Sequence, residues 1–554
     1  MQIRLKIKTD AGETEVVSGS PVLLKDLADE FQGRHPYRIL IARVNGCDRE
    51  LTETVAADAV IEFLDMRTYS ANLAYQHSVS LLYLKAVRDV LGAVSVEIEN
   101  SLDKGLYTEI KTPEPVTAEQ VEAVQQRMEQ LVSEDIPVVR EEYTREQAID
   151  IWKGYDYPEK STLLEHANDV KTAKFYSIQD YRNFFYGLMV PSTGYIEYFE
   201  LRKYRRGVLL RFPYPDRPDV IPQFKDDRKL YMAFGEANKW QRLLDIEYLA
   251  ELNDKIRHSK ARDLILLSEA LHEKKVAEIA DRITREQRRI VLIAGPSSSG
   301  KTTFARRLCV QLRVNGLEPL YMGTDDYFVE RKDTPVGPDG QPNYEDLECV
   351  DIELFNSNMN GLLAGKTVDL PEFDFMEGTK RFGRRITSIG RNQPIVIEGI
   401  HALNDRLTPY IDEWEKFRIY ISPFTQLNID MHNRVPTTDA RMLRRIVRDY
   451  KYRGHSAADT IAQWPSVRAG EDKNIFPYNG EADVLFNSAL VYELAVLKKY
   501  AEPLLREVRP DQPEYSEAVR MLDFIRFFDV IDDERYIPNN SIMREFIGGS
   551  IFVE

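Results

Sequence analysis

The sequence predicts a multidomain α/β protein whose C-terminal half contains a parallel sheet with crossover helices. The 554 residues exceed the roughly 250 to 300 that one hydrophobic core usually serves. The first 66 residues include short runs that alternate between apolar and polar side chains, as half-buried strands do. From residue 289 onward, apolar runs are followed by helical patterns, which is typical of parallel sheets.

Residues 1–66 predict a small β-rich domain. The Asn45-Gly46 pair is a strong signal for a tight turn between two strands. One helix is expected at residues 23–31, and strands are expected at residues 3–8, 15–17, 40–44 and 60–64.

The next two segments differ in pattern. Residues 67–215 mix helical and strand-like runs and predict an α+β domain, in which Thr117 is a plausible N-cap for a helix at 118–134. Residues 216–288 predict a helical connector, because leucines recur there at helical spacings. A helical and then irregular extension is expected at 501–554, after a parallel-sheet domain at 289–500.

Composition is typical of a folded globular protein, with 43% apolar and 30% charged residues. No run approaches the roughly 18 apolar residues that a membrane span needs. Cys47, Cys309 and Cys349 are too few and too scattered for a disulfide framework, so a reducing cytoplasm is expected. A net charge of −16 means that any nucleic acid would need a local basic patch.

A phosphate-binding loop follows the first strand of the C-terminal half. Gly-Pro-Ser-Ser-Ser-Gly-Lys-Thr-Thr at 295–303 lies between an apolar run and a helical one, the context in which this motif binds nucleotides. An incidental turn is the alternative, which the flanking elements disfavour. Backbone N–H groups would surround phosphate oxygens, Lys301 would reach the β- and γ-phosphates, and Thr302 would ligate Mg²⁺. The nucleotide-binding candidates are Gly295, Ser297, Ser298, Ser299, Gly300, Lys301, Thr302 and Thr303.

Two further strands end on carboxylates. Asp325 and Asp326 follow the run at 320–324, and Glu398 follows the run at 394–397. Ligands bind at the carboxyl edge of such sheets, where Asp325 could accept a hydroxyl proton and Glu398 could hold Mg²⁺ directly or through water. Capping of a loop is the structural alternative for each of them.

Four arginines at helical spacing predict a basic helical face. In an acidic chain this face is interpreted as a lid that closes over the transferring phosphates and stabilises their charge. The alternative is a solvated face that Asp439 and Asp449 partly neutralise. The four residues are Arg441, Arg444, Arg445 and Arg448, and Arg453 follows closely.

Residues 289–500 resemble the uridine kinase and phosphoribulokinase family of P-loop kinases. The resemblance rests on the loop and on the segments at 324–328, 343–345, 370–375, 397–400, 444–449, 453–454 and 482–484. It implies that Asp325 is the general base, that Glu345 meets the ribose hydroxyls, and that Arg441 and Gln463 lie near the nucleoside. Phe328 and Phe373 are further candidates for the substrate site, and Arg453 for the ATP site.

The base-reading positions depart from this family. Uridine kinases read the pyrimidine with a Tyr and a His, where this chain has Phe373 and Gly378. A pocket that loses hydrogen-bonding groups loses discrimination. Another nucleoside or a sugar-like alcohol therefore stays open as the acceptor.

A second resemblance rests on the segments at 44–46, 77–78, 133–137 and 190–194 of the N-terminal part. This part resembles threonyl-tRNA synthetase, with a β-grasp-like TGS domain at 1–66 and the second additional domain at 67–215. The editing site of those enzymes uses a His-x-x-x-His and a Cys-x-x-x-His. Here His77 is kept, but Leu81, Phe185 and Met189 replace the other groups. Neither editing activity nor a structural metal is expected.

The sequence therefore predicts a cytoplasmic, ATP- and Mg²⁺-dependent kinase that phosphorylates the 5′-hydroxyl of a uridine-like nucleoside. A kinase of another small alcohol is the nearest alternative. A nucleotide-responsive protein that binds RNA or ribosomes is the alternative from another class, and RNA contact rests on the resemblance alone. The oligomeric state is left open.

Overall fold

The computed structural model describes residues 2–10, 12–155, 157–167, 170–336, 343, 345–374, 376–425 and 427–553. It is an α/β structure with several sheets, of which only the C-terminal five-stranded one is parallel throughout among the described residues. No helix in these ranges is both long enough and apolar enough to span a bilayer.

The N-terminal sheet has the order β2-β1-β7-β4-β5. The expected turn joins β4 to β5: Asn45 and Gly46 have φ of 49° and 80°, the left-handed region that this hairpin turn requires. The elements are β1 (Ile3–Thr9), β2 (Gly12–Ser18), β3 (Val22–Leu23), α1 (Leu24–Phe31), β4 (Ile39–Val44), β5 (Cys47–Glu50), β6 (Thr54–Val55) and β7 (Ala59–Asp65).

The next region packs long helices on two antiparallel sheets, β10-β11-β12 and β13-β14-β9-β8. Thr117 caps α3 as expected and forms a reciprocal pair of hydrogen bonds with Gln120. The elements are α2 (Tyr69–Leu91), β8 (Ser95–Ser101), β9 (Gly105–Lys111), α3 (Ala118–Ser133), β10 (Val139–Thr144), α4 (Arg145–Lys153), α5 (Pro158–His166), β11 (Thr172–Ile178), β12 (Tyr181–Phe184), β13 (Glu200–Tyr204) and β14 (Gly207–Arg211).

Three helices connect this region to the parallel sheet, and the last of them packs against the helix that follows the phosphate-binding loop. The sheet order is β16-β19-β15-β20-β21. The elements are α6 (Arg228–Leu244), α7 (Leu249–Arg257), α8 (Ala261–Glu286), β15 (Ile290–Ala294), α9 (Lys301–Val314), β16 (Leu320–Gly323), α10 (Ile352–Leu363), β17 (Val368–Asp374), β18 (Thr379–Thr387), β19 (Ile395–Glu398), β20 (Lys416–Ser422), α11 (Thr437–Arg453), α12 (Ala457–Asn474), β21 (Val484–Asn487), α13 (Glu493–Arg506), α14 (Tyr515–Ile525) and α15 (Arg544–Ile547).

The second region and the parallel-sheet region share one hydrophobic core cluster, which extends from Ala148 to Ile547. A buried polar contact crosses the same boundary, where Lys160 lies 3.2 Å from Asp430 and donates to Asn183 at 2.8 Å. The boundary is therefore packed as an interior and not as a loose hinge.

Candidate functional site

The phosphate-binding loop joins β15 to α9 at the carboxyl edge of the parallel sheet. Gly300 directly precedes α9 and has a φ of 85°, a backbone conformation that is strained for residues with a Cβ atom but not for glycine. Gly295 passes so close to β20 that a Cβ on it would lie 2.0 Å from the carbonyl oxygen of Ile421. Glycine is thus required at both ends of the loop by geometry.

Lys301 lies at the start of α9 and bends back over the loop. Its ammonium donates to the carbonyl oxygens of Gly295 at 3.0 Å and Pro296 at 3.2 Å. Burial lowers the pKa of Lys301, while the carboxylates of Glu398 and Asp325 act in the opposite direction. These acids and this base therefore interact within one cleft.

Glu398, at the end of β19, faces the first turn of α9. The Thr302 hydroxyl donates to its Oε1 at 2.9 Å, and the Tyr321 hydroxyl donates to the same oxygen at 3.1 Å. Desolvation and then the negative charge of Asp325 raise the pKa of Glu398 to about 7. A bound cation would favour its ionised form.

The two aspartates after β16 have different surroundings. Asp325 is accessible to solvent within the cleft, and its Oδ1 lies 3.4 Å from the Thr324 hydroxyl. Partial desolvation by the surrounding protein raises the pKa of this carboxyl group, and the positive charge of the nearby Lys301 lowers it. Asp326 instead pairs with Arg385 at 2.6 Å and holds the β17–β18 hairpin against the sheet.

The residues at this edge fit a magnesium ion. Mg²⁺ prefers oxygen ligands and is commonly held by one or two carboxylates together with water and substrate phosphates. Thr302 and Glu398 supply two adjacent oxygens, and Asp325 lies in the same cleft. Among the described residues, no group of three His, Cys, Asp or Glu side chains forms a complete metal cage. The donor set therefore suits an ion that phosphates help to bind.

The arginine face of α11 differs from the expected free lid. Arg441 and Arg444 are buried in ion pairs with Glu471 and Glu493. Arg441 also donates to the Ser297 carbonyl at 3.0 Å, and Arg444 donates to the Ser298 carbonyl at 3.3 Å. In this arrangement the Arg444 guanidinium is fixed inside a buried ion pair and supports the loop through the Ser298 carbonyl, whereas its closure over phosphates stays a prediction.

Arg445, Arg448 and Arg453 lie nearer to the cleft. Arg445 donates to the Ser297 hydroxyl at 2.9 Å and contacts Gln463 at 3.4 Å. All three arginines share Asp449, whose carboxylate is fully buried. The single carboxylate of Asp449 thus offsets part of the repulsion among these three positive charges, and Arg453 keeps about half of its side chain exposed.

The candidate acceptor side combines a charged and an apolar part. Burial raises the pKa of Glu345, and so does the neighbouring Glu471, while Arg445 lowers it. Phe328 and Phe373 pack edge to face with their ring centroids 5.8 Å apart.

Gly378 packs against Arg331, because a Cβ on Gly378 would lie 2.7 Å from the Arg331 side chain. Tyr344 and Phe375, which belong to the resembling segments, lie outside the described residues.

The surroundings of His77, where the resemblance to threonyl-tRNA synthetase would place the editing site, are closely packed. The His77 ring lies 6.1 Å from the ring of Phe185 and 5.8 Å from that of Tyr186, and a Cβ on Gly187 would lie 2.0 Å from the imidazole. Burial lowers the pKa of His77 to about 4, so this imidazole is neutral. Leu81 and Met189 are part of the surrounding core.

The sequence did not single out the acids that hold the loop and its arginines. Glu471 accepts from the backbone N–H of Ser297 at 3.0 Å, and Glu493 pairs with Arg444. They lie 30 and 49 residues beyond their arginine partners, so no local spacing connects them. Glu545, in the C-terminal segment, contacts Thr303 and was also missed.

Comparison with known proteins divides the chain in two. Residues 290–495 match the model of the phosphoribulokinase and uridine kinase family. The uridine kinase of Deinococcus deserti is 29% identical over 197 residues, which cover 35% of this chain and 86% of that enzyme. A solved structure described as a possible uridine kinase from Bacillus stearothermophilus is 23% identical, covers 36% of this chain and 88% of its own, and has a TM-score of 0.24.

The threonine–tRNA ligase of Desulforamulus reducens is 26% identical over 199 residues, which are 36% of this chain and 31% of the ligase. The C-terminal region therefore contains a domain of the uridine kinase and phosphoribulokinase family, and the rest has homologues among threonine–tRNA ligases. Less than a third of the length of that ligase is matched.

Proposed function

We propose that this chain transfers the γ-phosphoryl group of ATP to the ribose 5′-hydroxyl of a uridine-like nucleoside. The supporting observation is the convergence of Lys301, Thr302, Glu398 and Asp325 at one sheet edge, where their charges interact. A phosphate-binding loop alone would serve many functions. The carboxylate next to it favours transfer to an alcohol, because a hydroxyl nucleophile needs a proton acceptor.

Each residue of the site has a separate role in this phosphoryl transfer. Asp325 accepts the proton of the acceptor hydroxyl. At the same time the hydroxyl oxygen bonds to the γ-phosphorus, the bond between that phosphorus and the β-phosphate oxygen breaks, and ADP leaves. Burial raises the pKa of Asp325, which makes this carboxylate a stronger base than a solvated aspartate. Lys301 and the loop N–H groups hold the β- and γ-phosphates, and Arg445 and Arg448 stabilise the charge that spreads over the transferring oxygens.

Mg²⁺, held by Thr302 and Glu398, would neutralise charge on the β- and γ-phosphates. Arg441 and Arg444 act by holding the carbonyl groups of Ser297 and Ser298, which fixes the direction of the neighbouring N–H groups. Because this chemistry consists mostly of positioning and charge stabilisation, loop geometry should affect turnover strongly.

The acceptor site supports a second candidate. Glu345 would bind ribose hydroxyls, while the Phe328–Phe373 pair offers an apolar surface without the groups that read a pyrimidine. A kinase of another small alcohol is therefore the alternative. We also retain as proposals a TGS domain at 1–66, an editing-like domain at 67–215, a connector at 216–288, the kinase domain at 289–500 and an extension at 501–554.

The test is ADP release by purified protein with Mg-ATP across a panel of nucleosides and sugar alcohols. We expect acceptor-dependent release that Lys301→Ala abolishes. Asp326→Asn serves as the matched control for Asp325→Asn, since Asp326 pairs with Arg385 and Asp325 has the catalytic assignment. ATP binding without release for any acceptor, together with ATP-dependent RNA retention, would favour a nucleotide-responsive binding protein instead.

A further inference from the structure

The C-terminal segment packs directly onto the phosphate-binding loop. Ile542 touches the loop so closely that a Cβ on Gly300 would lie 2.6 Å from its Cγ2. The ring of Phe546 lies under the guanidinium of Arg444, 5.0 Å from its centre. Lys451 donates to the carbonyl oxygen of Ile547. The helix α15 is therefore part of the wall of the candidate ATP site.

Glu545 of this helix binds the first turn of α9. Its Oε2 accepts from the Thr303 hydroxyl at 2.7 Å and lies 3.4 Å from the Thr303 backbone nitrogen, whose N–H also points to it. The residue is 7% exposed, and within the described ranges no basic side chain forms an ion pair with it. Its negative charge is thus compensated mainly by the positive end of α9 and by Lys301, on which it acts electrostatically.

These are the groups that a phosphate chain would use. The N–H groups in the first turn of a helix after such a loop form the cradle for phosphate oxygens. One of these donors, and the hydroxyl beside it, are already occupied by a carboxylate of the same chain. A phosphate and this carboxylate carry like charges and need the same donors, so they exclude each other at Thr303.

We propose that Glu545 is an autoinhibitory carboxylate that occupies part of the phosphate site and must leave Thr303 when a nucleotide binds. This rests on the proposed function and adds a regulatory contact to the same site. Glu545 lowers nucleotide affinity, and any change that draws it away from Thr303 raises that affinity.

Only the side chain of Glu545 needs to move. Ile542, Met543 and Phe546 are fully buried in the main core cluster, so removing the whole segment would expose several large apolar side chains. Arg544 further fixes the helix by donating to the carbonyl oxygens of Glu534 and Ile537. Rotation of one carboxylate leaves all of these contacts in place.

The test measures binding of a non-hydrolysable ATP analogue with Mg²⁺ to the full-length chain by titration calorimetry. Glu545→Gln keeps the shape but removes the charge, and we expect about tenfold tighter binding, since hydrogen bonds to charged groups are the stronger ones. Asp533→Asn is the matched control: it lies in the same segment, pairs with Arg535 and should bind as the unmodified protein does. Glu545→Asp, whose carboxylate is one methylene shorter, provides a second variant and should also bind more tightly.

In turnover assays, KM for ATP should fall in Glu545→Gln while kcat at saturating ATP changes little. A purely structural contact would not produce that separation. Unchanged or weaker binding by folded Glu545→Gln and Glu545→Asp would overturn the autoinhibitory role while leaving the kinase assignment intact. Absence of nucleotide binding by the unmodified protein and by all variants would instead overturn the proposed function, and this inference with it.

Discussion

Replacing Arg444 by alanine separates a supporting role in the interior from a role in catalysis. Its side chain is 0% exposed and that of its partner Glu493 is 4% exposed. Arg444 also donates to the carbonyl oxygens of Ser298 and Ser488. The variant would leave a buried carboxylate without its partner, a change that typically costs about 3–5 kcal/mol of unfolding free energy.

The assay is thermal and denaturant unfolding, followed by calorimetry and near-ultraviolet circular dichroism. Arg453→Ala provides the control on the same helix, because that side chain is 52% exposed and its loss should change stability by only about 0.5 kcal/mol. An Arg444→Ala protein as stable as this control but with greatly reduced kcat would refute the assignment of Arg444 to the interior.

A double replacement sharpens this result. Arg444→Met with Glu493→Leu removes both charges and fills the space with apolar atoms, and such exchanges are often neutral for stability. We therefore expect the double variant to recover most of the lost stability. Turnover should stay low, because the Ser298 carbonyl loses the group that holds it.

Three further predictions concern the cleft and the domain boundary. Asp325→Asn should lower kcat by about 10²- to 10⁴-fold while ATP-analogue affinity, measured by calorimetry, changes little; unchanged turnover would exclude it as the base. Because the pKa of Glu398 is about 7, this carboxyl group is protonated at lower pH, and Mg²⁺-dependent binding of the ATP analogue should weaken about tenfold per pH unit well below pH 7. The Glu398→Gln variant should lack this pH dependence. Equal pH profiles of analogue binding for the variant and the unmodified protein would contradict the assignment of Glu398 to Mg²⁺. Lys160→Met leaves the buried Asp430 carboxylate without its ion-pair partner and should lower the free energy of unfolding by about 3–5 kcal/mol. Equal unfolding midpoints for the variant and the unmodified protein would show that this ion pair contributes little to stability.

Local patterns predicted the parts of the fold that local physics determines. The Asn45-Gly46 turn needs left-handed backbone in two adjacent residues, and Thr117 caps its helix through groups only three positions away. The strand, loop and helix around residues 295–303 are likewise contiguous. Glu398 and Asp325 could be placed at one edge of the sheet because the carboxyl ends of parallel strands meet there.

The sequence by itself determined the phosphate-binding loop, the two strand-end carboxylates and the helical spacing of the arginines. Tertiary structure decided which arginines remain near the cleft and which groups surround the loop. Arg444 is neutralised by an acid 49 residues away, and Thr303 is bound by an acid 242 residues away. Buried charges must be paired or hydrogen-bonded, because an unpaired charge in the interior costs much free energy. The partners lie far apart in the sequence, so the spacing of residues along the chain does not predict which groups pair.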